Sequence, residues 1–374
     1  MISDLIEKSE LADIYHKVRE GRRLTSEDGL RLYRSNDILA VGHMANMVRE
    51  HKNGDAAYYV VNVHINYSNI CKNKCRFCAF SRRSPDEDGA YEMTMDEIME
   101  RAKRVRLLGA TEMHIVGGAH PTWPFSRYLE MISTLHDAFP HVHLQALTAI
   151  EIANIAEMSN LGIRETLRQL KAAGLGSLPG GGAEIFSPRV RSLVCPEKLP
   201  AEKWLQVMRE AHELGLRSNA TMLYGHLETE EERIDHMVKL RKLQDETAGF
   251  MSFIPLAFHP ANTELSDRTP TTGLTDLRTL AIGRLMLDNF DHIKAFWIML
   301  GIKLAQVSLW FGVDDIDGTV VEERITHAAG AETPQALTVQ ELERLIVEAG
   351  RVPVERDTLY TVMERRVPGT SDED

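Results

Sequence analysis

The chain has 374 residues, with 43 Lys and Arg against 55 Asp and Glu, a formal charge of −12 and 43% hydrophobic residues. That apolar fraction excludes wholesale disorder and fibrous repeats, and the acidic balance argues against a nucleic-acid surface, which needs clustered cations. The start carries Asp4, Glu7, Glu10 and Asp13 instead of an apolar leader, and the most apolar stretch, 295–311, holds Lys303, Gln306 and Ser308 and is too short for a membrane span, so a soluble, cytoplasmic protein is expected.

Residues 1–50 read as helices, with Leu11, Ile14, Tyr15 and Val18 at helical spacing. From about residue 58, short β-rich runs alternate with amphipathic helical patterns. Residues 60–66 predict the first strand, and a cysteine-bearing loop follows it. Thr94 opens a helix through a capping box with Glu97, and Gly109 closes that pattern. Strands are predicted over 113–116 and 142–147, with helices over 128–138 and 150–173. A glycine-interrupted strand follows near 178–185, then a helix with Trp204, Val207, Met208 and Ala211 on one face. Strands at 218–224 and 250–258 flank a helix at 231–244. A helix over 277–290 and strands at 293–297 and 307–311 complete the series. Thr338 and Glu341 cap a last helix, and 369–374 reads as a frayed acidic tail.

About eight strand–helix units predict an α/β fold with parallel strands and crossover helices. Eight is the number that closes a (β/α)8 barrel of the TIM type; a doubly wound open sheet is the alternative. The expected organisation is a helical extension at 1–50, the barrel at 51–325 and a second helical extension at 326–374.

Of four cysteines, Cys71, Cys75 and Cys78 form C-x3-C-x2-C directly after the first predicted strand. Iron–sulfur clusters are normally held by four thiolates, and three ligands leave one position open to an outside molecule, as in catalytic zinc sites. A zinc ion completed by a histidine fits the same count. Cys195 lies far downstream and reads as core. Gly117-Gly118 ends the second predicted strand, where glycines admit a ligand to the backbone or simply form a tight turn. The glycine run before Glu184 is neither a phosphate loop nor a dinucleotide motif. A carboxylate there suits ribose hydroxyls. His64 and Asn66 share one face of the first strand, and His226 and His259 stand at strand ends on the side where barrel active sites form. These four are the catalytic candidates, each with a structural role as the alternative.

The C-x3-C-x-aromatic-C loop resembles the hallmark of the radical S-adenosylmethionine (SAM) superfamily. The resemblance implies a [4Fe–4S] cluster on Cys71, Cys75 and Cys78, with SAM chelated at the open iron and cleaved by one electron to a 5′-deoxyadenosyl radical. It also implies that Phe77 packs near the adenine, Gly117 and Gly118 meet the methionine amino group, and Glu184 takes the ribose. Many members have Gly-Gly-Glu where this chain has Ala119, so only the glycines carry over.

The segments 69–82, 178–186, 219–226, 245–247, 292–297, 311–319 and 355–360 resemble the aminodeoxyfutalosine synthase family of the futalosine route to menaquinone. That resemblance implies SAM as co-substrate and radical addition to 3-[(1-carboxyvinyl)oxy]benzoate. Aryl migration and bicarbonate loss then give 6-amino-6-deoxyfutalosine. A substrate with two carboxylates calls for cations, and Arg82, Lys294 and Arg356 are the candidates, with surface charge or ion pairing as the alternative. A flavodoxin- or ferredoxin-type electron donor is implied, and neither nucleic acid nor membrane. The sister cyclase acting on dehypoxanthine futalosine shares the cysteine loop. A non-catalytic iron–sulfur or zinc protein is the rival from another class.

Overall fold

The computed structural model describes residues 6–364, so the expected acidic tail at 369–374 lies outside the described residues. Ten strands are present among them: β1 (Ala56–Val60), β2 (Asn62–Ile65), β3 (Glu112–Ile115), β4 (His143–Ala146), β5 (Ser177–Leu178), β6 (Arg217–Tyr224), β7 (Phe250–Ala257), β8 (His292–Ile293), β9 (Asp315–Gly318) and β10 (Val352–Glu355). Strands β2 to β8 form one sheet in sequential order, and every pairing in it is parallel. Each crossover carries at least one helix, the only economical way to return a chain to the start of a parallel neighbour.

The helices cover the outside of this sheet with apolar stripes. In the helix Ile163–Ala172 the buried positions Ile163, Thr166, Leu167 and Leu170 recur at helical spacing, and in Ala201–Glu213 they are Ala201, Trp204, Val207, Met208 and Ala211. Each large side chain so buried contributes about 1.5–3 kcal/mol. Five helices start with a capping box in which both reciprocal bonds are present, at Thr25, Thr94, Thr148, Thr229 and Thr338.

Closure differs from a continuous eight-stranded ladder. The run that follows β8 around the ring is 315–321, and it touches both sheet edges through single parallel bridges, Lys294 to Asp315 and Val63 to Val321. Along most of its length β9 pairs instead with β1, in a second sheet of order β10-β1-β9. The strand predicted at 60–66 is β2, and β1, which shares only Val60 with that range, lies in the outer sheet.

Three further expectations are corrected. The run 178–185 is a strand only at β5, because Gly180 and Gly182 take φ +86° and Glu184 takes φ +49°, which breaks the extended chain. The run 307–311 is the end of a helix, Ile302–Ser308, and a turn; short apolar runs do not distinguish buried helix from strand. The C-terminal extension is not purely helical, since β10 pairs with β1 after the helix Val339–Glu348.

At the N-terminal side, the helix Ile38–Asn53 starts where Asp37 accepts from the Ala40 N–H at 3.0 Å. It continues past residue 50 and packs along the helix Gly273–Met286. Gly42 is required there, since a Cβ would come 2.5 Å from the Phe311 ring.

Candidate active site

Strand β2 delivers the chain to the cysteine loop, which is fastened on three sides. Cys71 N–H donates to the Arg82 carbonyl at 2.8 Å, Lys72 N–H to Ala119 at 2.9 Å, and Arg76 N–H to Val194 at 2.8 Å. Gly118 N–H donates to Ser68 at 3.0 Å, and a Cβ on Gly118 would stand 2.2 Å from the Ile70 oxygen and 2.9 Å from Cys71 Cβ. Two adjacent loops thus touch backbone to backbone, which only glycine permits.

All three cysteines line a cavity of about 320 Å³ inside the sheet. Burial pushes the Cys71 and Cys75 thiols up from their ordinary range. Thiolates there need incoming positive charge, which iron supplies. Among the described residues no three His, Cys, Asp or Glu side chains converge on one point as ligands of a single ion. A four-iron cluster takes one thiolate per iron corner, so the donor set fits three corners of such a cluster with the fourth open.

Beside the thiols, Glu184 and Lys198 form an ion pair, both nearly buried. Lys198 Nζ also lies 5.3 Å from the centroid of the Phe77 ring, a cation–π contact. Although burial alone would push it down, Glu184 and Cys75 hold the Lys198 ammonium above its ordinary value. Gly180 packs against the next strand, where a Cβ would meet the Asn219 oxygen at 2.3 Å. Glu151 sits behind the glycine turn and accepts from Gly117 N–H (3.1 Å), Tyr67 O–H (2.5 Å) and Thr148 N–H (2.7 Å). Burial pushes its carboxyl up to about 6.

Within the strands the inward side chains are polar, unlike the branched apolar layers that usually fill such barrels. His64 on β2 stacks on His114 on β3, centroids 4.5 Å apart. His114 Nδ1–H donates to Gln145 Oε1 at 3.2 Å, and Gln145 Nε2 donates to Ser177 Oγ at 3.3 Å. Ser252 donates to Asn219 Oδ1 at 2.9 Å. Lys294 donates to Asp317 at 3.1 Å, and Asn62 donates to Glu112 at 3.2 Å. Burial pushes His64 well down, so its imidazole is neutral, and pushes Asp317 up.

Of the residues singled out from sequence, Cys71, Cys75, Cys78, Phe77, Gly117, Gly118, Glu184, His64, His259 and Lys294 line this one cavity. His259 is tied by Nε2 to the Met299 carbonyl at 2.8 Å. Four do not line it. Asn66 donates to the Val116 carbonyl at 3.2 Å and accepts from Arg324 N–H, joining loops behind the wall. His226 is turned away by Gly225 at φ +94° and packs with Glu228, Nδ1 to Oε2 3.4 Å. Arg82 donates to the carbonyls of Asp88 (2.8 Å), Ala79 (3.0 Å) and Ser81 (3.0 Å), stapling its own loop. Arg356 is buried against Asp315, Nε to Oδ2 2.6 Å, under the outer sheet. Both arginines spend donors on these carbonyls and this carboxylate, outside the cavity.

Lys198, His114, Gln145, Asn219 and Asp317 were missed. For His114 and Gln145 a signal existed: each stands between apolar neighbours in a strand, so the polar residues share one face at period two.

Comparison with known proteins agrees with this geometry. The radical SAM superfamily profile matches residues 65–240, and the CofH/MqnC C-terminal region matches 247–368. Aminodeoxyfutalosine synthase of Thermus thermophilus is 52% identical over 354 residues, covering 94% of this chain and 95% of that protein. A 5-amino-6-(D-ribitylamino)uracil–L-tyrosine 4-hydroxyphenyl transferase of Methanopyrus kandleri is 43% identical over 312 residues, covering 82% and 84%. Methylornithine synthase superposes with a TM-score of 0.74 at 19% identity, over 91% of this chain and 96% of that one, a likeness of fold alone. The superfamily works with a [4Fe–4S] cluster and SAM, and the cysteine motif for them is present. The chain belongs to the radical SAM superfamily and, within it, to the aminodeoxyfutalosine synthase family.

Proposed function

We propose that this chain joins SAM to 3-[(1-carboxyvinyl)oxy]benzoate to give 6-amino-6-deoxyfutalosine. The observation that carries the reading is one cavity running from three thiols into a polar strand interior, in a chain 52% identical to such a synthase. Cys71, Cys75 and Cys78 are assigned to the cluster, which when bound and reduced supplies the electron that cleaves SAM. Glu184, oriented by Lys198, is assigned to the ribose hydroxyls, and Phe77 to the adenine face. Gly117 and Gly118 leave backbone space for the amino-acid end of SAM.

The chemistry balances without an external oxidant. The 5′ carbon–sulfur bond of SAM breaks, methionine leaves, and a carbon–carbon bond forms between the 5′ carbon and the vinyl CH2. The aryl group moves from oxygen to carbon, and the bond to the carboxylate breaks. That carboxylate returns the one electron as it leaves as carbon dioxide, which water hydrates to bicarbonate. A primary radical survives this only in near-attack geometry with stray hydrogen donors kept away. Ile254, Leu256, Phe258 and Phe296 supply an apolar wall of the cavity for that purpose. A flavodoxin- or ferredoxin-type protein is the electron donor in this reading. Among the described residues no helix is long and apolar enough to cross a membrane.

The test is an anaerobic turnover of reconstituted enzyme with reductant, SAM and the benzoate, products read by mass spectrometry. A product carrying the adenosyl group, absent with Cys75→Ala, is expected. Free 5′-deoxyadenosine with no adduct would reject the reaction and point to the cyclase substrate.

A further inference from the structure

Two buried groups face the cavity with hydrogen-bonding capacity unspent, and in its Nε2–H tautomer His64 is a donor beside Lys294. Lys294 Nζ has one hydrogen-bond partner among the described residues, Asp317 at 3.1 Å, and an ammonium has three N–H groups. His64 Nε2 is buried with no partner, while its ring is held flat against His114. Both residues line the same cavity, and the Lys294 charge is one of the influences that disfavour a charge on His64. The acids nearby are engaged: Glu112 with Asn62, and Asp317 with Lys294 itself. Buried donors left unpaired are unfavourable, so this corner is built to receive an acceptor, and beside an ammonium the fitting acceptor is an anion.

Its position selects which anion. His64 lies within β2, whereas Cys71 follows the C-terminal end of that strand, and Lys294 N–H donates to the Phe253 carbonyl inside β7 at 2.9 Å, so both groups stand deeper in the strands than the thiols. The alkene carbon has to meet the 5′ carbon at the thiol end. The carboxylate on the aromatic ring is the end of the substrate remote from the alkene, and it is the one that reaches into the strands.

We infer that Lys294 and His64 together bind the ring carboxylate of the substrate and select for it, with Asp317 holding the ammonium in place. This rests on the synthase reading above. Selection follows because a substrate lacking that carboxylate leaves both donors unpaired.

The experiment compares 3-[(1-carboxyvinyl)oxy]benzoate with the enolpyruvyl ether of phenol, which lacks the ring carboxylate, on reconstituted holoenzyme. Both kcat/KM and the substrate Kd are measured. The native enzyme should prefer the benzoate by about 100-fold or more in kcat/KM. Lys294→Met and His64→Phe should each shrink that ratio about 10-fold or more through a higher Kd for the benzoate, with the Kd for SAM moving less than about 2-fold. The double variant Lys294→Met with Asp317→Asn removes the acid that the first change strands, so a lost ratio there cannot be blamed on a buried unpaired carboxylate. An unchanged ratio in all three variants overturns the inference while leaving the synthase reading intact. Failure of the native enzyme to convert the benzoate at all, with SAM still cleaved, overturns both.

Discussion

Lys198 Nζ stands 5.3 Å from the centroid of the Phe77 ring while its ammonium closes an ion pair with Glu184. One lysine therefore orients both the aromatic residue of the cysteine loop and the carboxylate assigned to ribose. Replacing it strands a buried carboxylate, which costs more than the pair itself contributes. Lys198→Met should raise the Kd for SAM by about 10–100-fold, with iron content per chain retained. Iron analysis and equilibrium binding of SAM check this; a Kd within about 2-fold of native would remove Lys198 from the site.

The contact between Gly118 and Ile70 sets a second expectation. A methyl group on Gly118 would sit 2.2 Å from a backbone oxygen, and that oxygen belongs to the residue before Cys71. The cysteine loop has to move to admit it. Gly118→Ala should cost about 1–3 kcal/mol of stability and lower the iron retained after reconstitution. Gly109→Ala is the control: its backbone is at φ +65° but nothing lies within 4 Å of the added Cβ, so it should cost about 1 kcal/mol and leave iron content unchanged. Equal iron in both variants would count against the cradle.

The contrast between Arg356 and Lys294 shows how far a sequence reading reaches. Both were candidates for a substrate carboxylate, and both are buried; only the fold decides that Asp315 claims the first while the second faces the cavity. The cysteine loop and the glycine turn were legible because their chemistry is local, written in spacing and residue type. The alternation of strands and helices was legible because amphipathic periods report burial directly. Closure was not, since a one-bridge contact such as Val63 to Val321 leaves no periodic trace. Lys198 was not either, because it reaches Glu184 from a separate loop after an intervening helix, Pro188–Val194.

Glu151 carries a pH dependence that can be worked out by sign. Burial raises its carboxyl from 4.5 to about 6, so between those values the folded chain binds more protons than the unfolded one. Its contribution to stability therefore falls as pH rises through that window, by about 2 kcal/mol in all. Glu151→Gln abolishes the titration and places an amide where Thr148 N–H now donates at 2.7 Å. Denaturant unfolding of both proteins between about pH 4.5 and 7 checks the expectation. The difference in stability between native and variant should shrink as pH rises, and a difference constant across the window would refute it.

His327 supplies the opposite sign on the segment that borders the cavity mouth. Its Nδ1 faces the Glu323 carbonyl at 2.8 Å and carboxylate at 3.2 Å, and its Nε2 faces the Thr333 carbonyl at 3.0 Å. Both ring nitrogens thus point at acceptors, which only the protonated imidazole can satisfy. The hydrogen bond to Glu323 is the main cause that raises its pKa to about 9. A histidine raised in this way stabilises the fold fully below its ordinary 6.5 and loses that contribution as pH climbs through about 9. Glu323, Ile325 and Thr326 line the cavity, so the loss should loosen its rim. Hydrogen exchange across 323–333, corrected for intrinsic rates, should quicken between about pH 7 and 9.5, and His327→Gln should exchange quickly at the lower pH already. Equal protection at both pH values in the native protein would show that the segment is held by its other bonds, such as Asn262 to the Ala328 carbonyl at 3.1 Å, rather than by this charge.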